Sequence, residues 1–148
     1  MSRKKKQPVY NIEMNAYAAE GKSIAHLEDG KVLFVENAVP GDVIHARIVK
    51  QKKNWAEGKI MELVKPSPDR IDPFCPHFGI CGGCKWQMLP YSHQLQYKQQ
   101  QVQDQLQRIG HVELPEMSPI LGSPKERFYR NKLEFTFSAS RYLTDQEI

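Results

Sequence analysis

Residues 72–87, Asp-Pro-Phe-Cys-Pro-His-Phe-Gly-Ile-Cys-Gly-Gly-Cys-Lys-Trp-Gln, decide how the chain is organised. They contain all three cysteines of the sequence, Cys75, Cys81 and Cys84, in the spacing C-x5-C-x2-C. Thiols gathered this closely, in a loop-forming segment rich in glycine and proline, indicate ligands that converge on one centre. The pattern therefore predicts a soft-metal site that holds either zinc or an iron–sulfur cluster.

Two other interpretations of the cysteines are a disulfide and inert buried thiols. An odd cysteine count without an export signal argues against a disulfide, and the loop-like surroundings argue against burial. Zinc and an iron–sulfur cluster both need four protein ligands as a rule, and the sequence has three cysteines. His77 would complete a zinc site, whereas a cluster would take its fourth ligand from elsewhere.

Charge is spread unevenly along the 148 residues, whose formal net charge is +4. Residues 1–70 contain 13 Lys and Arg against 9 Asp and Glu, whereas residues 71–148 contain 8 of each. A basic N-terminal module fits a nucleic-acid partner, because phosphate neutralisation supplies most non-specific affinity. The basic residues 1–8 lack a following apolar core, so we expect a disordered tail and no signal peptide. We expect a cytoplasmic monomer with no membrane partner.

Short strands separated by turns are the pattern of residues 9–65. Predicted strands cover residues 10–16, 23–27, 31–35, 43–51 and 55–64. Asp29-Gly30 is a hairpin signal, and Val39-Pro40-Gly41-Asp42 has the proline and glycine that a type II turn prefers at its centre. Five short strands in so little sequence predict a small OB-like β-barrel.

The tip between the last two predicted strands combines positive charge with a possible stacking ring. Lys50, Lys52, Lys53 and Trp55 are therefore candidate RNA-binding residues. The alternative places Trp55 in the barrel core and leaves the lysines as a solvated hairpin tip.

Residues 66–148 are predicted to form the start of a second domain. Residues 65–70 are polar and proline-rich, which predicts a linker. A helix is predicted over 91–109, with an apolar stripe and a glycine stop, and a strand over 128–138. We predict an α+β protein: a five-stranded barrel, a metal-binding loop, one helix and at least one strand of an incomplete central domain.

The cysteine motif Cys75-Pro-His-Phe-Gly-Ile-Cys-Gly-Gly-Cys, a following helix and Tyr-Arg-Asn-Lys at residues 129–132 resemble the S-adenosylmethionine-dependent RNA uracil-5-methyltransferases. The resemblance is strongest to the RumA-like branch that modifies 23S ribosomal RNA, in the large subunit. Residues 9–65 resemble the TRAM domain of that branch, an OB-like RNA-binding module. The resemblance extends from about residue 9 to residue 148.

The resemblance implies a [4Fe–4S] cluster held by Cys75, Cys81, Cys84 and a fourth cysteine that has no matching position here. It implies that a thiolate adds to C6 of a flipped-out uracil, C5 takes the methyl group of S-adenosylmethionine and a carboxylate removes the C5 proton. The nucleophile, the base and the cofactor-binding fold belong to a C-terminal domain that we expect to be absent. The chain alone is therefore expected to be inactive.

Arg130 and Lys132 lie in the strand that passes near RNA in that family, so the resemblance implies that they contact RNA. The alternative is a polar strand face on which Glu134 pairs with them. A different function is a self-contained, zinc-stabilised RNA-binding module without catalysis. Radical S-adenosylmethionine enzymes with a TRAM domain fit less well, because they have a C-x3-C-x2-C motif and a C-terminal barrel.

Overall fold

The computed structural model describes residues 8–128 and 137–141. The strands are β1 Pro8–Glu13, β2 Ala16–Tyr17, β3 Ser23–His26, β4 Val32–Val35, β5 Val43–Gln51 and β6 Trp55–Lys65. A short 3-10 turn covers Ala19–Gly21, helix α1 covers Tyr91–Asp104, and a π-helical turn covers Gln105–Ile109. Among these described residues, no helix has both the length and the apolar character needed to cross a membrane.

The strands form one six-stranded sheet in the order β1-β5-β6-β4-β3-β2, in which only β4 and β6 pair in parallel. Its two edge strands belong to one bent segment, because Met14 N–H donates to Asp42 O (2.9 Å) and Asn15 N–H to Ile24 O (2.8 Å). One segment therefore completes both edges, and the sheet curls into a barrel. The single strand predicted over 10–16 is wrong in this detail, since the bend at Met14 divides it into β1 and β2.

The predicted turns are confirmed. Leu27 N–H donates to Lys31 O (2.8 Å) across the β3–β4 turn, where Gly30 has a φ of +79°. In the second turn, Asp42 N–H donates to Val39 O (2.9 Å), and Gly41 has a φ of +89°. A positive φ at the third residue is the geometry of a type II turn, which explains the glycine there.

Side chains that alternate along the strands fill the barrel. The buried set is Met14, Ala25, Leu33, Val35, Ala38, Ile44, Ala46 and Ala56. Alanines at three of the facing strand positions keep the interior narrow. Gly58 continues this pattern, since a Cβ there would lie 3.2 Å from Leu33 Cδ1. The α+β architecture with an OB-like barrel and one helix agrees with the sequence prediction.

The predicted helix is confirmed as α1 followed by the π-helical turn. Its apolar stripe is largely uncovered in the described part of the chain: Val102 is 47% exposed, Leu106 39% and Ile109 77%. The strand predicted over 128–138 falls mostly outside the described residues, and so do Arg130 and Lys132.

Candidate nucleic-acid interface and cysteine loop

At the β5–β6 hairpin tip, Trp55 forms an aromatic pair with Phe34 of β4 and lies beside a lysine. Trp55 is half-buried on the outer face of the barrel, and its ring meets Phe34 edge-on with 6.2 Å between centroids. Lys50 Nζ lies 5.0 Å from the Trp55 ring centroid, within reach of a cation–π contact. Trp55 therefore packs outside the barrel core, where part of its ring meets solvent.

One carboxylate moderates the charge of this surface. Glu57 accepts a hydrogen bond from Lys22 (3.0 Å), and its other oxygen lies 3.7 Å from Lys50 Nζ. The Lys22 hydrogen bond lowers the pKa of Glu57 and raises the pKa of Lys22, so both groups are charged at neutral pH. Lys52 and Lys53 stand exposed at the tip. The tip thus presents positive charge around a partly exposed indole.

The segment predicted as a linker is packed against the barrel. Asp42 is fully buried and accepts hydrogen bonds from Val39 N–H (2.6 Å), Ser67 N–H (2.8 Å) and the Arg70 guanidinium (2.5 and 3.1 Å). Arg70 also donates to Asn37 O (3.0 Å). Pro68 and Asp69 form a turn in which Arg70 N–H donates to Ser67 O (3.1 Å), so the segment folds back beside this buried carboxylate. The domain division at residue 66 stays a prediction.

The cysteine loop is closed at its base. Ile71 N–H donates to Met88 O (2.9 Å), and Cys75 N–H donates to Gln87 Oε1 (3.2 Å). Within the loop, Cys81 N–H donates to His77 O (3.1 Å). Gly79 and Gly82 have φ values of +82° and +69°, so glycine is needed for these reversals. The loop is therefore a compact turn structure held between residues 71 and 88.

An aromatic cluster joins this base to the barrel and to α1. Its buried members are Val39, Trp86, Met88 and Leu89, with Tyr17, Phe78 and Tyr97 packed against them. The Tyr17 ring lies 4.8 Å from both the Trp86 and Tyr97 rings, and Trp86 Nε1–H donates to Gly21 O (3.2 Å). Burial raises the pKa of Tyr17, whose hydroxyl donates to Ala38 O (2.9 Å). This cluster is not predicted from the sequence, although the apolar residues that follow Cys84 indicate a buried segment.

The three cysteines are free thiols in the structure, with Cys75 half-buried and Cys81 and Cys84 exposed. Gly83 N–H points at Cys81 Sγ, 3.5 Å away. Over residues 8–128 and 137–141, no three His, Cys, Asp or Glu side chains are arranged as a metal-ligand set. The donor types fit three sulfur ligands of a cluster or a zinc ion, but the side chains are not gathered around one point. The metal assignment therefore stays a prediction that depends on a fourth ligand.

Comparison with known proteins identifies the barrel. Residues 6–61 match the family model of the TRAM domain. A protein of Bacteroides thetaiotaomicron called an uncharacterized RNA methyltransferase is 58% identical over 131 residues, which cover 88% of this chain and 29% of the relative. Proteins with the same description from Porphyromonas gingivalis and Nitratidesulfovibrio vulgaris are 50% and 44% identical, covering 93% and 86% of the chain.

The barrel is a TRAM domain, and the chain that carries it is a relative of proteins named RNA methyltransferases. The resemblance to RNA methyltransferases with an N-terminal TRAM domain is thereby confirmed. The chain spans less than a third of the length of these relatives, 29% of the Bacteroides and Porphyromonas proteins and 27% of the Nitratidesulfovibrio protein.

Proposed function

We propose that this chain recognises RNA for an S-adenosylmethionine-dependent methyltransferase that methylates C5 of a uridine in 23S ribosomal RNA. The observation that carries the proposal is the β5–β6 tip of the TRAM domain, where Lys50 lies against the partly exposed ring of Trp55. Exposed rings beside lysines suit single-stranded RNA, since bases stack on the ring and phosphates pair with the cations. The printed description of the relatives, RNA methyltransferase, supports the reaction class.

The cysteine loop has a separate part in the proposal. Cys75, Cys81 and Cys84 would supply three thiolates to a [4Fe–4S] cluster, and a cysteine that this sequence does not contain would supply the fourth. A cluster there would fix the loop structurally, and none of these thiolates acts as the nucleophile that attacks uracil. We also propose a cytoplasmic location, because clustered metal-binding cysteines suit a reducing compartment.

RNA binding at the tip is tested with a fluorescent single-stranded RNA and anisotropy titrations at several salt concentrations. Replacing Lys50, Lys52 and Lys53 together by glutamine should weaken binding and reduce the slope of log K against log[salt] by about 2, or about 0.7 per lost phosphate contact. Arg108→Gln is the matched control, because Arg108 is exposed on another element and pairs with Asp104. A salt slope equal to that of the unchanged protein would exclude the tip as the RNA surface.

The reaction is tested in cells by deleting the gene that encodes this sequence. We expect 23S ribosomal RNA to lose one 5-methyluridine, measured by mass spectrometry of its nucleosides. An unchanged content of 5-methyluridine would refute the proposed substrate but would leave the RNA-binding proposal open to its own test.

Metal content separates the cluster from the zinc alternative. Anaerobically purified protein should contain iron and sulfide and be brown once the fourth ligand is present, whereas a zinc protein would be colourless. One stoichiometric zinc that is lost in His77→Ala would refute the cluster and favour the zinc-stabilised RNA-binding module.

A further inference from the structure

The C-terminal end of the helical segment carries apolar side chains that are largely uncovered in the described part of the chain. Val102, Leu106 and Val112 are between 39% and 47% exposed, and Ile109 is 77% exposed. Residues 102, 106 and 109 are four and three positions apart, so they lie on one side of the helix. Val112 joins them after the helix ends, because its N–H donates to Leu106 O (3.0 Å) and its Cγ2 would lie 3.5 Å from a Cβ at Gly110. These four residues form the α1 apolar face.

The first half of α1 is attached to the rest of the protein. Gln94 Nε2 donates to Trp86 O (3.0 Å), and the Tyr97 ring packs edge-on against the Tyr17 ring of β2 with 4.8 Å between centroids. Ile109 lies twelve residues beyond Tyr97, or about 18 Å along the helix axis. The helix is therefore fixed to the barrel near its start and presents the apolar face near its end.

The charges around the α1 apolar face argue against RNA or a membrane as its occupant. Of the Asp, Glu, Lys and Arg side chains, residues 99–112 contain only Asp104 and Arg108, which pair with each other at 3.2 Å. Six glutamines occupy further positions in this range. RNA and anionic lipid surfaces are both bound through an excess of Lys and Arg. A neutral surface with apolar side chains suits a protein partner, because charged residues are depleted at the centres of protein interfaces.

The length of the relatives points to one such partner. The match covers 29% of the Bacteroides protein and 29% of the Porphyromonas protein, so more than two thirds of each relative lie outside it. We propose that the α1 apolar face is the docking surface for the further chain that these relatives possess, through an apolar surface of that chain. Because α1 is also fixed to the barrel through Tyr97, docking would hold the further chain at a set distance from the TRAM domain. The inference goes beyond the proposed function, since it concerns how two parts of one protein are joined.

Hydrogen exchange tests the docking in two proteins, the product of the complete gene and the 148-residue chain. We expect the backbone amides of residues 103–110 to exchange at least about tenfold more slowly in the complete protein, because a covered helix end opens less often. Equal exchange rates in the two proteins would overturn the proposal. Such a result would mean either that the face stays open or that residues of this chain cover it.

Charge substitutions show whether the face itself makes the contact. Val102→Glu together with Ile109→Glu should remove the added protection in the complete protein, because docking would bury unpaired carboxylates. Gln96→Glu together with Gln107→Glu is the matched control, since it adds the same two charges at exposed positions on another side of the helix. The control should keep the added protection. In the 148-residue chain, both double variants should leave the urea midpoint within about 0.3 M of the unchanged chain, because all four positions are exposed. Full protection in the Val102 and Ile109 variant would overturn the proposal.

Light scattering separates the further chain from a second copy as the occupant. We expect the 148-residue chain to be a monomer with rapidly exchanging amides at residues 103–110. A dimer of this chain in which these amides are as protected as in the complete protein would overturn the proposal in favour of self-association. None of these measurements involves RNA, so a failure of the proposed function and a failure of the docking would be observed independently.

Discussion

Replacing Asp42 by alanine should cost the folded protein about 3–5 kcal/mol. The change removes an acceptor that is fully buried and leaves the N–H groups of Val39 and Ser67, 0% and 4% exposed, without their partner. Each orphaned buried donor costs about 1–3 kcal/mol. Arg70 keeps its hydrogen bond to Asn37 O, and its side chain is 21% exposed. The loss of its carboxylate partner should therefore cost less than the loss at the two buried N–H groups. The total lies within the range measured when one partner of a buried ion pair is removed.

Urea unfolding followed by tryptophan fluorescence measures this cost. Trp86 reports directly, because it is 8% exposed and lies in the cluster that joins barrel, loop and helix. With an m value of about 2 kcal/mol per molar, a loss of 4 kcal/mol lowers the midpoint by about 2 M. A reductant keeps the three thiols free during the measurement.

A double-mutant cycle shows whether Arg70 is the partner that matters. Asp42→Ala and Arg70→Ala together should cost less than the sum of the single changes, since each removes the same contact. Arg108→Ala is the control for an exposed ion pair and should cost about 0.5 kcal/mol or less. A loss below about 1 kcal/mol for Asp42→Ala, or additive effects in the cycle, would refute the reasoning.

Two further predictions test the turn and the aromatic cluster. Gly41→Ala should lower the free energy of unfolding by about 2–4 kcal/mol, because φ at Gly41 is +89° and a Cβ there would lie 2.9 Å from Ser67 Oγ. Gly30→Ala should lower it by only about 1–2 kcal/mol in the same urea assay, because φ at Gly30 is +79° but a Cβ there would meet open space. Tyr17→Phe should cost about 0.5–1.5 kcal/mol at pH 7 for the lost hydrogen bond to Ala38 O. Because burial raises the pKa of Tyr17 in the folded protein, the unchanged protein should lose stability as the pH rises above the ordinary tyrosine pKa near 10. The Tyr17→Phe variant should lose less stability over the same pH range, measured by urea unfolding at each pH. Equal costs at the two glycines, or parallel alkaline curves, would contradict these accounts.

The parts of the fold that were predictable from sequence are those set by neighbouring residues. The strand alternation that buries Ile44 and Ala46, and the turns at Gly30 and Gly41, depend on local conformation and a period of two. The division of the first strand at Met14 was not predictable, because it depends on which two strands flank the segment in space.

The role of Asp42 shows why contacts between residues far apart in the sequence could not be predicted. From the sequence, Asp42 is predicted only as the last residue of a turn, and its partner Arg70 lies 28 residues further along the chain. No periodic pattern connects the two positions. The proline-rich segment before Arg70 was interpreted by composition, whereas its placement is decided by a buried carboxylate on another part of the chain.

The attachments at the base of the cysteine loop bear on how a ligand would act there. The Asp42 hydrogen bonds and the Ile71–Met88 contact hold residues outside the cysteine motif, and the cluster around Trp86 includes one residue of the motif, Phe78. None of these contacts involves a cysteine sulfur, so we expect the base to keep its position whether or not the thiols are bound. Cys81 and Cys84 are exposed and lie outside this packed base. A metal bound by all three thiolates would therefore order the tip of the loop while the barrel and α1 keep their arrangement. Metal loading should then change the protection of backbone amides near Cys81 in hydrogen exchange and leave those of the barrel unchanged.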